Sequence, residues 1–178
     1  TPLTFHQGLS ERHKCSVWLK REDLQVVRSY KLRGAYNMLS SLSAEQRTKG
    51  VVCASAGNHA QGVALAGGLM QVDGGVFMPV ITPRQKITQT EYFGQEWIDI
   101  QLVGDNFDDC ASAARAFCTE ENRVFIPPFD HPDIVEGQGT VAVEILEDQP
   151  SIDFLFVPIG GGGLAAGCIQ YFKTYSPN

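Results

Sequence analysis

Short apolar runs alternate with helical repeats along almost the whole chain, and few architectures accept that order. "VVCAS" (51–55), "GVFMPV" (75–80), "WIDIQLVG" (97–104), "RVFIPPF" (123–129) and "DFLFVPI" (153–159) read as strands. "SVWLKRED" (16–23) reads as an earlier one, with Val17 and Leu19 on one face. Between them, 29–42, 58–70, 83–94, 106–121, 132–148 and 162–175 carry helical patterns. In the first of these, Leu32, Ala35, Tyr36, Leu39 and Leu42 fall at helical spacing. Pro83 and Gly94 bracket another. Strand and helix joined by short loops predict βαβ units and a mostly parallel α/β sheet. The strands are continuously apolar, as strands covered by helices on both faces must be.

Composition narrows the function classes. The 178 residues suffice for one good-sized core, and the net charge is −6. A nucleic-acid binder needs a basic face, so the acidic total argues against one. Cysteines stand at 15, 53, 110, 118 and 168 with no CxxC pair, which disfavours a disulfide framework or a zinc ribbon and fits a reducing compartment such as the cytoplasm. Glycine breaks the apolar runs, so no membrane span is expected. The chain opens at Thr1 without a signal peptide, which leaves open a processed chain, a fragment or an organellar protein that has lost its leader.

Open parallel sheets bind ligands beyond the carboxyl ends of their strands. Three segments there are chemically unusual. In "PIGGGGLAAG" (158–167), four successive glycines follow a strand and open a helix. Bare backbone N–H groups can converge there on an anion such as a phosphate. Gly160, Gly162 and Ala165 also satisfy the dinucleotide pattern G-x-G-x-x-[GA], while Cys168 stands where a P-loop needs lysine. A tight strand-to-helix crossing would use the same glycines. "SAGNHAQG" (55–62) is a second strand-to-helix turn, sized for a carboxylate, with Asn58 offering both donor and acceptor. On its own it reads more readily as a capped turn, and His59 alone is more often structural. No metal-ligand spacing accompanies it, so no metal is expected.

The third segment is "VRSYKLRGAY" (27–36). Ser29 as N-cap would place Lys31 in the first helical turn, where a cation is disfavoured. Arg28 and Arg33 would also favour a neutral amine if they lay close in space, and burial would push the same way. A neutral lysine attacks carbonyls. Taken alone, Lys31 reads as a solvated surface lysine. Taken together, the three segments suit one molecule with a phosphate, a carbonyl and an amino-acid carboxylate: pyridoxal 5′-phosphate carrying an amino acid.

The chain resembles the fold-type II pyridoxal-phosphate enzymes, and among them the threonine dehydratases. The resemblance rests on "TPL", "LKREDLQ", "SYKLRGA", "ASAGNHAQGVA", "TPRQK", "GDNFD", "GQGTVAVEI" and "PIGGGGLAAG", which run along nearly its whole length. It implies that Lys31 forms a Schiff base with the cofactor and later takes the Cα proton. Asn58 would hydrogen-bond the cofactor ring hydroxyl. Gly160, Gly161, Gly162, Gly163 and Leu164 would bind the phosphate. Ser55, Gly57, Asn58 and His59 would grip the substrate carboxylate, and Tyr30 would pack near the cofactor. Glu136 receives no catalytic role.

The same resemblance implies two three-layer αβα lobes of the tryptophan synthase β type. Residues 1–52 and 131–178 would form an incomplete large domain, and 53–130 the small one. The activity implied is β-elimination from L-threonine, and from L-serine, in isoleucine biosynthesis or threonine catabolism, by a homo-oligomer. The isolated 178 residues are expected to have little or no activity. Serine racemases and serine dehydratases are near relatives; racemases carry a serine where this chain has Ala56, and without that hydroxyl elimination is favoured. The rival classes are a nicotinamide-binding domain and a non-catalytic fragment.

Overall fold

The computed structural model describes residues 1–176; the last two residues of the expected segment 131–178 lie outside them. The chain opens with β1 (Leu3–Phe5), α1 (Gln7–His13) and β2 (Trp18–Lys20). Here β1 and β2 pair antiparallel, Leu3 opposite Lys20. Next come α2 (Lys31–Ser41) and α3 (Ala44–Lys49). A parallel α/β unit follows, with β3 (Val51–Ala54), α4 (Asn58–Met70), β4 (Gly74–Met78), α5 (Arg84–Gly94), β5 (Ile98–Leu102), α6 (Phe107–Glu120) and β6 (Val124–Phe125). The helices α7 (Pro132–Asp148) and α8 (Gly163–Tyr175) close the chain.

The four parallel strands lie in the order β5-β4-β3-β6. Val51 to Ala54 pair with Gly74 to Phe77, and every residue of β3 and β4 is buried. Helices cover both faces of this sheet. Val51, Cys53, Val76 and Met78 point into one apolar cluster with α2 and α4. Val52, Ala54 and Phe77 point into another with Cys110 and Ala114 of α6. Fully burying a side chain such as Leu39, Met78 or Ile126 is worth about 1.5–3 kcal/mol. β3 begins at Val51, two residues ahead of the boundary expected at 53.

The start of the lysine helix is fixed by close contacts. Gly62 of α4 lies against the backbone of Lys31; a Cβ there would sit 3.0 Å from the Lys31 carbonyl carbon. On the opposite side α7 crosses α2 with Gly137 against Gly34. The same helix meets α8 where Gly139 faces Gly167. Thus the "GQG" of 137–139 brings three helices to backbone contact.

The structure corrects several expectations. "DFLFVPI" forms no strand: Phe154 and Phe156 are 83% and 92% exposed. A strand exists only by ladder bonds to a neighbour, and among the described residues no strand lies beside it. The first sheet is antiparallel, not part of the parallel one. Tyr36, read as part of the apolar face of α2, is 45% exposed. Ser29 stands one residue outside the N-cap, Tyr30, yet its hydroxyl still accepts from the Lys31 N–H at 3.2 Å.

Candidate active site

Lys31 is the first residue of α2 and is only partly exposed. Its ammonium donates to the carbonyl oxygen of Pro128, 97 positions away in sequence. The Tyr30 ring lies beneath it, 5.6 Å from centroid to Nζ. Burial pushes the Lys31 pKa below its ordinary value, because the charged form loses hydration. The flanking arginines do not share in this. Arg28 is exposed and leans toward the Asp23 carbonyl at 3.4 Å. Arg33 is engaged by Glu22 at 2.7 Å and by Glu144 at 2.6 Å.

Helix α4 brings the "SAGNH" turn beside this lysine, because Gly62 touches the Lys31 backbone one turn along from Asn58. Gly57 is the N-cap, and its N–H donates to the Ser55 hydroxyl at 3.2 Å. Asn58 is exposed, and a Cβ at Gly57 would meet nothing within 4 Å. Among the described residues nothing accepts from the amides of Asn58 and His59. The His59 ring turns the other way. It is 4% exposed, and its Nε2–H donates to the Ile126 carbonyl at 2.9 Å. Burial holds its pKa at about 4, with the Lys31 charge adding to the shift and the Ile126 bond opposing it.

The glycine turn has a packed side and an open side. A Cβ at Gly161 would fall 2.2 Å from the Phe129 ring, and one at Gly163 would fall 2.9 Å from the Phe129 carbonyl oxygen. At Gly160 and Gly162 a Cβ would meet nothing within 4 Å. Gly162 has φ +87°, a conformation that favours glycine. Among the described residues no acceptor takes the N–H groups of Gly160 to Leu164, at the start of α8. This cradle of amides at a helix N-terminus fits a phosphate.

Ile126, Pro128 and Phe129 thus receive all three segments; the pattern places them in a strand over 123–129, but β6 ends at Phe125 and they serve the site instead. A signal was present. Two prolines after a strand end its ladder and leave carbonyls to be met by side chains.

The sequence matches the family described as "Pyridoxal-phosphate dependent enzyme" over residues 1–178. The chain belongs to that family. It is 56% identical over 179 residues to the Bacillus subtilis "L-threonine dehydratase biosynthetic IlvA", covering 100% of this chain and 42% of that protein. The chain therefore spans less than half the length of this relative. Its fold is similar to the processed form of threonine deaminase isoform 2 from Solanum lycopersicum, with TM-score 0.97 and 45% identity, over 100% of this chain and 51% of that one. It is also similar to maize serine racemase, with TM-score 0.94 and 32% identity, over 99% of this chain and 53% of that one.

Proposed function

We propose that the complete protein carrying this chain is a pyridoxal-phosphate-dependent threonine dehydratase. It converts L-threonine to 2-oxobutanoate and ammonia by β-elimination, and L-serine to pyruvate by the same route. The observation that carries this reading is that the Lys31 amine and the glycine turn rest on adjacent residues, Pro128 and Phe129. The identity to relatives named threonine dehydratase supports the substrate.

Each residue has a task in this reading. Lys31 holds the cofactor through its amine, and its partial burial enlarges the neutral fraction able to accept a proton from the substrate Cα. The amides of Gly160, Gly161, Gly162, Gly163 and Leu164 hold the phosphate. Those of Asn58 and His59 hold the substrate carboxylate, together with the Ser55 hydroxyl, which accepts from the Gly57 N–H and is oriented by it. The Asn58 amide side chain meets the cofactor ring hydroxyl, and Tyr30, whose ring lies 5.6 Å from the Lys31 Nζ, packs near the cofactor. When bound, pyridoxal phosphate supplies an electron sink for the negative charge at Cα. Ala56 offers no hydroxyl for a proton on the opposite face, so elimination outruns racemisation.

The two lobes divide at about 53 and 130, and the protein works as a homo-oligomer in the cytoplasm or an organelle. An assay of the complete protein with L-threonine, L-serine and D-serine tests the reading. The expected result is 2-oxobutanoate from L-threonine as the leading product. Interconversion of the serine enantiomers without turnover of L-threonine would replace it with the racemase.

A further inference from the structure

His59 has a buried ring that the roles above leave unused. Its Nε2–H donates to the Ile126 carbonyl at 2.9 Å. The Ile126 N–H donates to the Val52 carbonyl at 2.8 Å, so Ile126 is held on both sides. Two residues on, the Pro128 carbonyl receives the Lys31 ammonium. Next along the chain, the Phe129 ring lies under Gly161. Pro127 and Pro128 have no N–H to bond and a nearly fixed φ. The path from Ile126 to Phe129 is therefore stiff, and its placement depends on what its carbonyls accept.

We propose that His59 is a positioning residue for the reactive lysine. Its imidazole acts through Ile126 to fix the Pro128 carbonyl, and with it the place of the Lys31 amine relative to the glycine turn. The inference rests on the reading of Lys31 as the cofactor lysine. The ring is too buried to meet substrate, so it works as a neutral donor rather than as an acid or base. An apolar replacement would leave the Ile126 carbonyl without its partner. The strand end would then shift toward another donor and carry Pro128 with it.

The test uses the complete protein loaded with pyridoxal phosphate, with His59→Leu and His59→Gln beside the wild type. Visible absorbance of the lysine-bound cofactor, its dissociation constant and thermal unfolding are measured on each. The expected result for His59→Leu is a displaced visible band and affinity weakened by about tenfold, as for one lost buried hydrogen bond. His59→Gln keeps an N–H donor and recovers most of both. A folded His59→Leu protein with the wild-type band and affinity overturns the proposal, as does a glutamine variant no better than leucine. If His59→Leu does not fold, nitrogen NMR of the His59 ring in the wild type decides. A neutral ring protonated at Nε2, whose signal moves on cofactor loading, is expected. A ring protonated at Nδ1, or one blind to loading, overturns it. A wild type that takes up no cofactor removes the lysine reading and this proposal together, whereas a loaded wild type lets the variants judge His59 alone.

Discussion

The side-chain oxygen of Gln138 in α7 accepts a hydrogen bond from the backbone N–H of Gly34 in α2 at 3.2 Å, and both residues are buried. Gly34 lies in the first turn of α2, where backbone N–H groups lack carbonyl partners within the helix. A glutamine on a neighbouring helix therefore caps the helix that begins at Lys31. Gly34→Ala would place a Cβ 2.4 Å from the Gln138 amide nitrogen and 2.8 Å from the Ile134 carbonyl oxygen. The better helix propensity of alanine offsets at most about 1 kcal/mol of that clash. The substitution is expected to destabilise the complete protein by about 1–3 kcal/mol, read as a lower urea midpoint. An unchanged or raised midpoint would count against this packing.

Arg33 is nine-tenths buried and bridges Glu22 of the early chain to Glu144 of α7. Burial alone would raise the Glu144 carboxyl, but hydrogen bonds from Arg33 and Lys20 outweigh it and hold it well below the usual carboxylate range. Arg33→Ala leaves Glu22 without its cation, while Glu144 keeps Lys20 and the Thr1 ammonium, and is expected to cost about 3 kcal/mol, at the low end for a broken buried pair because Glu144 is partly exposed. Arg33→Lys, which cannot fork between two carboxylates, should recover only part of the loss in the same unfolding experiment.

The legibility of the fold followed the strength of each local signal. Helix α4 and helix α7 begin and end where the repeats of 58–70 and 132–148 do, because both open at distinct helix starts and carry apolar faces. Short elements carry weaker periodicity: β1, α1 and α3 span seven residues or fewer and have no expectation in the pattern above, although Ser43 and Gln46 form a capping box that marks the start of α3. "DFLFVPI" has strand composition, but strand formation depends on a neighbour that its own residues cannot specify. At the site, Lys31 and the two turns were legible because each has unusual local chemistry. Pro128 and Phe129 were not, because they contribute a carbonyl and a ring to partners far away in sequence. Burial lowers the Lys31 pKa as expected, whereas the conditional contribution of the arginines does not arise: sequence shows that they are neighbours but not the carboxylates that engage Arg33.

Gly161 and Phe129 should be energetically coupled. Gly161→Ala drives a methyl into the Phe129 ring and is expected to weaken binding of pyridoxal phosphate by about tenfold. Phe129→Ala removes the ring, so the double variant should bind better than the two single losses predict when added. Strict additivity in cofactor titrations would show that the ring and the turn do not meet.

Acid should destabilise the fold through His59. Its pKa is about 4 in the folded chain against an ordinary 6.5. Between those values the unfolded chain binds the proton and the folded chain does not, so stability falls as pH drops through this window. The full effect amounts to about 3 kcal/mol. Below it, Glu22 and Glu144 act in the same direction: burial opposes their depressed pKa values, but Arg33 outweighs it, and their contribution is lost as they protonate. His59→Gln should flatten the slope between pH 4 and 6.5 and leave the lower limb in place. Urea unfolding as a function of pH measures both.

Every role proposed for the site turns on Lys31 being the residue that carries the cofactor. Borohydride treatment of the complete protein loaded with pyridoxal phosphate, followed by peptide mass spectrometry, tests it most directly. The expected result is loss of the visible colour and a single reduced cofactor adduct on the peptide containing Lys31, absent in Lys31→Ala. A colourless protein, or an adduct fixed on another lysine while Lys31 stays unmodified, would contradict it.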